Sequence, residues 1–156
     1  MAKNEKEKAS DAFGEKFSAT PSKTEEAERF RTADDALKAL TETEVAMIAA
    51  CGEDAPSCFV PVLESWCLLL EETSSVKRCA ELAGDPSEFK LVGASTFDYL
   101  EPGDVTGIQR RIAGVMPAVI REAPHEASEA VAVMLEWLHA GLALHMWAKE
   151  ERQKHT

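Results

Sequence analysis

The sequence is short of positive charge. It carries 28 Asp and Glu residues against 17 Lys and Arg, for a formal net charge of -11 over 156 residues. Non-specific binding to nucleic acids and to anionic membranes depends on a cationic surface. The composition therefore argues against nucleic acid and membrane as partners, and it is compatible with a basic protein partner.

Motifs of several large enzyme classes are also absent. The chain contains no G-x-G-x-x-G fingerprint, no P-loop and no G-x-S-x-G nucleophile motif. One E-x-x-H pair, Glu136 and His139, has the spacing of di-iron ligands in helical bundles, but such a site needs two of these pairs and two further glutamates. His139 and His145 do not share a helix face as a metal pair would. We therefore predict no enzymatic activity, no metal and no cofactor.

The four cysteines, Cys51, Cys58, Cys67 and Cys79, include no C-x-x-C pair. A zinc knuckle and a thioredoxin-like site are therefore not predicted. Cys67 stands inside an apolar run, and we interpret it as a small buried hydrophobic residue. The N-terminus lacks the apolar core of a secretory signal, which together with the cysteine pattern predicts a reducing, intracellular setting. A nucleophilic Cys-His pair assembled from distant parts of the chain stays open as an alternative.

Helical periodicity dominates the chain from residue 24 onward. Residues 1–23 are polar without a sustained apolar period, which predicts a disordered tail. Residues 24–153 show helical spacing and no useful β-type alternation, which predicts a single helical domain. Apolar seams over residues 24–40 and 140–153 have coiled-coil spacing. We predict an all-α protein in which these two segments pair as antiparallel, stalk-like helices and residues 41–139 form a compact globule of about six helices.

The apolar run at residues 59–70 is the most conspicuous segment of the predicted globule. It is too short to cross a bilayer, which takes about 20 apolar residues. A helix that is apolar around most of its circumference must be surrounded by other elements. We therefore predict that it is the central helix, with Pro61 in its first turn.

Local signals mark other helix boundaries. Thr41 and Glu44 predict a capping box, and Asp85 followed by Pro86 predicts a strong helix start. Further helices are predicted over residues 76–82, 105–116 and 126–153, with Pro117 and Pro124 bracketing a linker.

The order of these elements resembles the microtubule-binding domain at the tip of the dynein stalk. The segment at residues 62–70, VLESWCLLL, is similar to a core helix of that domain. Further similarities are a Leu-Ala-Gly-Asp turn at residues 82–85, a Val- and Ile-containing stretch with two basic residues at 105–112, and a long final helix with Trp137 at the expected tryptophan. The likeness covers about residues 33–148, and it identifies the chain as a stand-alone or divergent relative.

This resemblance implies a six-helix globule on an antiparallel coiled-coil stub that binds the tubulin groove reversibly. It also implies association with microtubules or an axoneme, in the cytoplasm, cytoskeleton or cilium. Dynein contacts acidic tubulin through basic residues on its first globular helix, whereas the corresponding segment here, TETEVAMIAAC, has no Lys or Arg. We therefore expect a weakened tubulin contact. The basic residues left as candidate contacts are Lys77, Arg78, Lys90, Arg110, Arg111 and Arg121.

A second interpretation from a different class stays open. In it, the chain is an acidic helical-bundle adaptor that binds a basic protein and has no connection with microtubules. The two interpretations differ in architecture, because only the first requires the two terminal helices to pair beside a compact globule.

Overall fold

The computed structural model describes residues 23–51 and 55–154, and every regular element in these two ranges is helical. The predicted all-α class is therefore confirmed for the described part of the chain. Six α-helices lie between the first and the last, in agreement with the predicted number. The predicted tail lies outside the described residues, apart from Lys23. The helices are α1 (Lys23–Lys38), α2 (Glu42–Ala49), α3 (Val60–Leu69), α4 (Val76–Leu82), α5 (Pro86–Phe89), α6 (Pro102–Ile112), α7 (Pro117–Glu122) and α8 (Ser128–Lys154), with 3₁₀ turns at Ser57–Phe59 and Thr96–Tyr99.

Capping side chains and prolines set several helix starts where they were predicted. The Thr41 hydroxyl accepts a hydrogen bond from the Glu44 amide at 3.1 Å, and the Glu44 carboxylate accepts one from the Thr41 amide at 2.8 Å. This reciprocal pair is the predicted capping box at the start of α2. Asp85 accepts from the Glu88 amide at 3.3 Å at the start of α5. Pro61 lies in the first turn of α3.

Three predicted boundaries after residue 100 are wrong. α6 begins at Pro102 and not at residue 105, because a proline in the first turn removes no intrahelical hydrogen bond. It ends at Ile112 and not at 116, shortly before Gly114 adopts a left-handed φ of 78°. The predicted linker between Pro117 and Pro124 contains α7, because Pro117 again occupies a first helical turn.

The central helix of the fold is α8, which corrects the prediction for the apolar run of α3. α8 has 27 residues and contacts α1, α2, α3, α6 and α7. Its residues 130–135 are all buried. α3 has only 10 residues, and it buries Val62, Leu63 and Trp66 against a smaller set of neighbours. An apolar segment of that length is too short to reach every other element.

Trp137 on α8 is the centre of the aromatic core. Its ring centroid lies 5.4 Å from that of Phe30, 5.5 Å from that of Trp66 and 5.8 Å from that of Phe97. Its indole N–H donates a hydrogen bond to the Asp34 carboxylate at 2.9 Å, which satisfies the polar end of a buried ring. The side chain therefore fixes α1, α3 and the second 3₁₀ turn on α8.

α1 and α8 form an antiparallel pair. Asp34 on α1 binds Trp137, whereas the earlier residue Phe30 lies beside Gly141, about one turn farther along α8. Phe30, Leu37 and Trp137 belong to one hydrophobic core. The predicted stalk-like segments and the predicted globule therefore share one core, and packing is continuous across residues 40 and 139. The coiled-coil character of the α1 and α8 pair stays a prediction.

By length and composition, α8 is apolar enough to cross a membrane. Within the protein, however, 61% of its most apolar stretch is buried. A helix that is apolar around most of its circumference is also what the core of a helical protein requires. Core packing therefore accounts for the apolar side chains in the first half of α8.

Candidate functional site

The six basic residues predicted to contact a partner lie on several different elements. Four of them are engaged by groups of the protein itself. The other two, Lys77 and Arg110, are exposed and have no partner in residues 23–51 and 55–154. Lys77 and Arg78 lie on α4, and Lys90 lies directly after α5. Arg110 and Arg111 lie on α6, and Arg121 lies on α7.

Arg121 on α7 is clamped by two glutamates of α8. Its guanidinium donates to Glu129 at 2.9 and 3.1 Å and to Glu136 at 3.0 and 3.1 Å. Both contacts use two N–H groups, the strong geometry for an arginine-carboxylate pair. The two carboxylates, Glu136 first, raise the pKa of Arg121. The clamp ties α7 to α8, and an acidic partner would have to compete with both glutamates for this cation.

Arg78 and Arg111 are also paired within the protein. Arg78 donates to Glu72 and to Glu81, each at 3.0 Å. These two carboxylates, Glu81 first, raise the pKa of Arg78. The Arg111 Nε lies 3.5 Å from the Glu64 carboxylate, an ion pair that links α6 to α3. Both guanidinium groups thus lie against carboxylates of the protein.

Lys90 serves as a cap for the C-terminal end of α1. Its ammonium group donates to the carbonyl oxygens of Leu40 at 2.6 Å and Lys38 at 3.2 Å. Lys38 makes the reciprocal contact, because its ammonium donates to the Val92 carbonyl at 2.6 Å. A cation at this position satisfies carbonyls that lack intrahelical partners and interacts favourably with the helix dipole. Lys90 therefore has a structural role.

A cleft that the sequence predictions missed lies between α6 and the C-terminal half of α8. Its volume is about 260 Å³. Its floor is apolar, and one wall is a row of basic residues on α8 at i, i+4 and i+7 spacing, which places them on one helix face. We call this feature the cationic cleft; its floor includes Phe97, Leu100 and Val105, and its basic wall consists of His145, Lys149 and Arg152.

The basic wall of the cationic cleft is only partly neutralised. The His145 Nδ1 lies 2.8 Å from the Asp98 carboxylate, which also lines the cleft. Lys149 and Arg152 are exposed, and no carboxylate among the described residues pairs with either of them. The i, i+4, i+7 spacing of the three basic residues is the sequence signal that could have revealed this wall.

A larger depression lies between α1, α7 and α8. Its volume is about 420 Å³. The charged residues that line it are already paired, Arg29 with Glu26 at 3.1 Å and Glu136 with Arg121 at 3.0 Å. We call this feature the apolar groove; it is lined by Ala33 and Ala36 of α1, Pro117 of α7 and Ala140 of α8, together with Arg29, Thr32, Glu136 and His139.

Both members of the E-x-x-H pair, Glu136 and His139, contact other groups of the protein. Glu136 binds Arg121, and the His139 Nε2 lies 3.1 Å from the Val115 carbonyl oxygen. Within the described residues, no group of three or more His, Cys, Asp or Glu side chains is placed to hold a metal ion. Both residues therefore help to hold the segment around α7 against α8.

Cys51 and His125 form a close Cys-His contact, with 3.9 Å between Sγ and Nε2. The Ala127 amide donates to the His125 Nδ1 at 3.0 Å. In the neutral ring the proton therefore lies on Nε2, the atom that faces the sulfur. A protonated nitrogen cannot accept the thiol proton, and burial raises the pKa of Cys51. The contact thus lacks the nucleophile-base arrangement of a catalytic pair.

Cys67 is fully buried, as predicted, and it is hydrogen-bonded to Cys79. This hydrogen bond lowers the pKa of Cys67 and raises the pKa of Cys79 well above its ordinary value. Neither side chain has any exposed surface. The Cys67 thiol also lies 3.3 Å from the Ser75 carbonyl oxygen, to which it donates. The pair therefore links α3 to α4 inside the core.

No protein-family model, no curated protein and no solved structure matches this chain.

Proposed function

We propose that this chain is a non-enzymatic interaction module of the dynein stalk-tip type, associated with microtubules or an axoneme. The proposal places it in the cytoplasm, on the cytoskeleton or in a cilium. The single observation that carries it is the antiparallel pairing of the first and last helices, α1 and α8, beside a group of shorter helices. In this module α1 and α8 are the ends of two stalk strands, and sliding between the strands carries the binding signal.

Helix lengths support this arrangement over an evenly packed bundle. α1 has 16 residues and α8 has 27, whereas the helices between them have 4 to 11. An up-and-down bundle would instead pack helices of similar length in sequence order. The long pair of α1 and α8 is therefore suited to transmitting a displacement, and the short helices are suited to forming a binding surface.

Charge limits how such a module contacts tubulin. Because Arg78, Lys90, Arg111 and Arg121 are engaged internally, the free candidates among the predicted contacts are Lys77 and Arg110. Tubulin is acidic, and juxtaposed like charges can cost several kcal/mol. Binding in this mode is therefore weak, and it decreases as salt screens the few favourable contacts.

Microtubule co-sedimentation at increasing salt tests the proposal. We expect the wild-type protein to pellet at low ionic strength and to be released as salt rises toward ~0.15 M. Arg110→Glu should weaken binding by roughly tenfold, about 1.4 kcal/mol, because it reverses a free cation. Arg110→Glu combined with Lys77→Glu should weaken it further, because both free candidate cations are then reversed.

A matched variant separates a local contact from a general effect of charge. Arg31→Glu makes the same charge change at an exposed residue of α1 that is ion-paired with Glu28, and it should leave pelleting nearly unchanged. Absence of pelleting at low salt would rule out the tubulin version of the proposal. Equal losses in the Arg31 and Arg110 variants would rule out Arg110 as a contact.

A second candidate function is an acidic adaptor for a basic protein. Its supporting observation is the excess of 28 Asp and Glu residues over 17 Lys and Arg residues, which leaves many carboxylates without a basic partner in the chain. A labelled lysine-rich peptide tests it directly. Binding of that peptide by a protein that does not pellet with microtubules would favour the adaptor; the reverse result would exclude it. Exposed carboxylates with no ion pair among the described residues include Asp35, Glu88, Glu101 and Glu126.

A further inference from the structure

We propose that the cationic cleft binds a short acidic peptide segment of a partner protein. One apolar side chain of the peptide lies on the floor of the cleft, and neighbouring carboxylates of the peptide contact Lys149 and Arg152. This inference does not rest on the proposed function, because neither residue is among the candidate tubulin contacts. It is carried by the charge, the size and the construction of the cleft.

The cleft brings two cations that are unpaired within the described residues together on one face of α8. Arg78, Arg111 and Arg121 each lie against a carboxylate of the chain. Lys149 and Arg152 have no such partner among the described residues, and both line one cleft on one face of α8. A free cation beside a concave surface attracts negative charge more effectively than a neutralised one. The complementary ligand is therefore anionic.

One carboxylate of the protein, that of Asp98, also lines the cleft, and it contacts neither Lys149 nor Arg152. The Asp98 Oδ1 lies 2.8 Å from the His145 Nδ1, so this carboxylate is directed at the imidazole. The His145 side chain is 12% exposed, so the imidazole lies on the inner part of the wall, whereas the Asp98 side chain is 47% exposed. Lys149 and Arg152, which follow on the same helix face, are left for the ligand.

The size of the cleft favours a peptide over a small cofactor. Small-molecule sites usually measure about 300–1,000 Å³, whereas the cleft measures about 260 Å³. That volume accommodates one or two side chains of an extended segment. α6 contributes Thr106 and Gln109 to the lining, and these side chains can hydrogen-bond to a peptide backbone.

The floor of the cleft is held rigidly from below. Phe97 stacks on Trp137 with an interplanar angle of 21°. Gly141 permits this approach, because a Cβ at that position would lie 2.7 Å from the Phe97 ring. A preformed floor reduces the ordering cost of binding. The cleft is therefore organised to receive an apolar side chain before the ligand arrives.

Fluorescence anisotropy with a defined probe tests the inference. The probe is a labelled peptide of glutamates flanking one phenylalanine, measured against the full chain at low and physiological salt. We expect saturable binding that weakens as salt rises. Binding should fall when glycine replaces the phenylalanine and should be lost when glutamines replace the glutamates. Lys149→Glu combined with Arg152→Glu should weaken binding by at least tenfold.

The matched control is Arg31→Glu combined with Lys154→Glu, which makes the same charge change and should leave binding unchanged. Lys154 lies about 200° around α8 from Arg152 and does not line the cleft. Amide chemical shifts of the wild-type protein give a readout that does not depend on any variant folding, and the probe should perturb residues 97–109 and 145–152. Equal losses in both double variants would overturn the proposal, as would perturbations elsewhere. Displacement of the peptide by inorganic phosphate at equal concentration would also overturn it, since that result would identify a small-anion site.

Discussion

The apolar groove and the cationic cleft both lie against α8, and they treat charge in opposite ways. In the groove, Arg29 faces Glu26 and Glu136 faces Arg121, so its charged side chains are matched within the protein. In the cleft, Lys149 and Arg152 have no carboxylate partner among the described residues. The cleft therefore offers unpaired cations to a charged ligand, whereas the charged side chains of the groove are already paired.

The number of basic residues is therefore a poor guide to where an acidic partner binds. Arg121 was a candidate contact by residue type, but it is held by two carboxylates. Lys149 was not a candidate, yet it is exposed and unpaired among the described residues. An arginine that already donates to carboxylates contributes little potential to the surface, because its field is cancelled nearby.

The largest expected effect comes from truncating Trp137, the aromatic core residue on α8, which is the helix that both depressions share. Trp137→Ala should destabilise the protein by about 3–5 kcal/mol, since it leaves a cavity among Phe30, Trp66 and Phe97. Urea unfolding followed by circular dichroism measures the loss. Trp147→Ala, at a half-buried position of the same helix, should cost clearly less. Equal costs would contradict the central role of Trp137.

A smaller loss of stability is expected from a substitution beneath the floor of the cationic cleft. Gly141→Ala places a Cβ 2.7 Å from the Phe97 ring, and overpacking of this kind costs about 1–3 kcal/mol. The better helix propensity of alanine recovers about 1 kcal/mol of this at most, so the net change is destabilising. The displaced Phe97 should also weaken binding of the acidic peptide.

Gly103→Ala is the matched control for that prediction. No atom lies within 4 Å of the Cβ that it would add. Its free energy of unfolding should therefore stay unchanged or rise slightly in a parallel urea titration. A stable Gly141→Ala protein with unaltered peptide binding would show that the cleft floor adapts.

The smallest effect is expected on the groove side. Arg121→Gln removes the clamp on Glu129 and Glu136, and because each of these side chains is more than a third exposed the loss should be ~1 kcal/mol or less. Thermal unfolding at low and high salt should show a difference that shrinks with screening. Arg31→Gln, which breaks one i,i+3 pair with Glu28, should have a still smaller effect. Identical curves for both variants at low salt would argue against the clamp.

Features that depend on neighbouring residues were predictable from the sequence. The capping box of Thr41 and Glu44 and the Asp85 cap were confirmed because such signals act over three residues. The helical class was predictable for a related reason, since apolar periodicity reports which face of a segment is buried. α7 was missed because Pro117 is compatible with both a linker and a first helical turn.

The candidate site was harder to predict because its determinants are distant in sequence. Lys90 caps a helix that ends about 50 residues earlier, and nothing around Lys90 in the sequence indicates that partner. The row of His145, Lys149 and Arg152 was visible as a spacing, but the cleft needs α6 and Phe97 beside it. Tertiary packing thus decides which cations are free, and a residue-type argument alone cannot.

Zero-length carbodiimide cross-linking of the full chain to microtubules, read by mass spectrometry, shows which lysines contact tubulin. The reagent couples tubulin carboxylates to lysines in contact with them. Among the described residues we expect cross-links at Lys77, the candidate contact lysine that is exposed and unpaired there. We expect none at Lys90, whose ammonium binds two carbonyl oxygens. Cross-links concentrated at Lys90, or no cross-links within the described residues, would contradict this expectation.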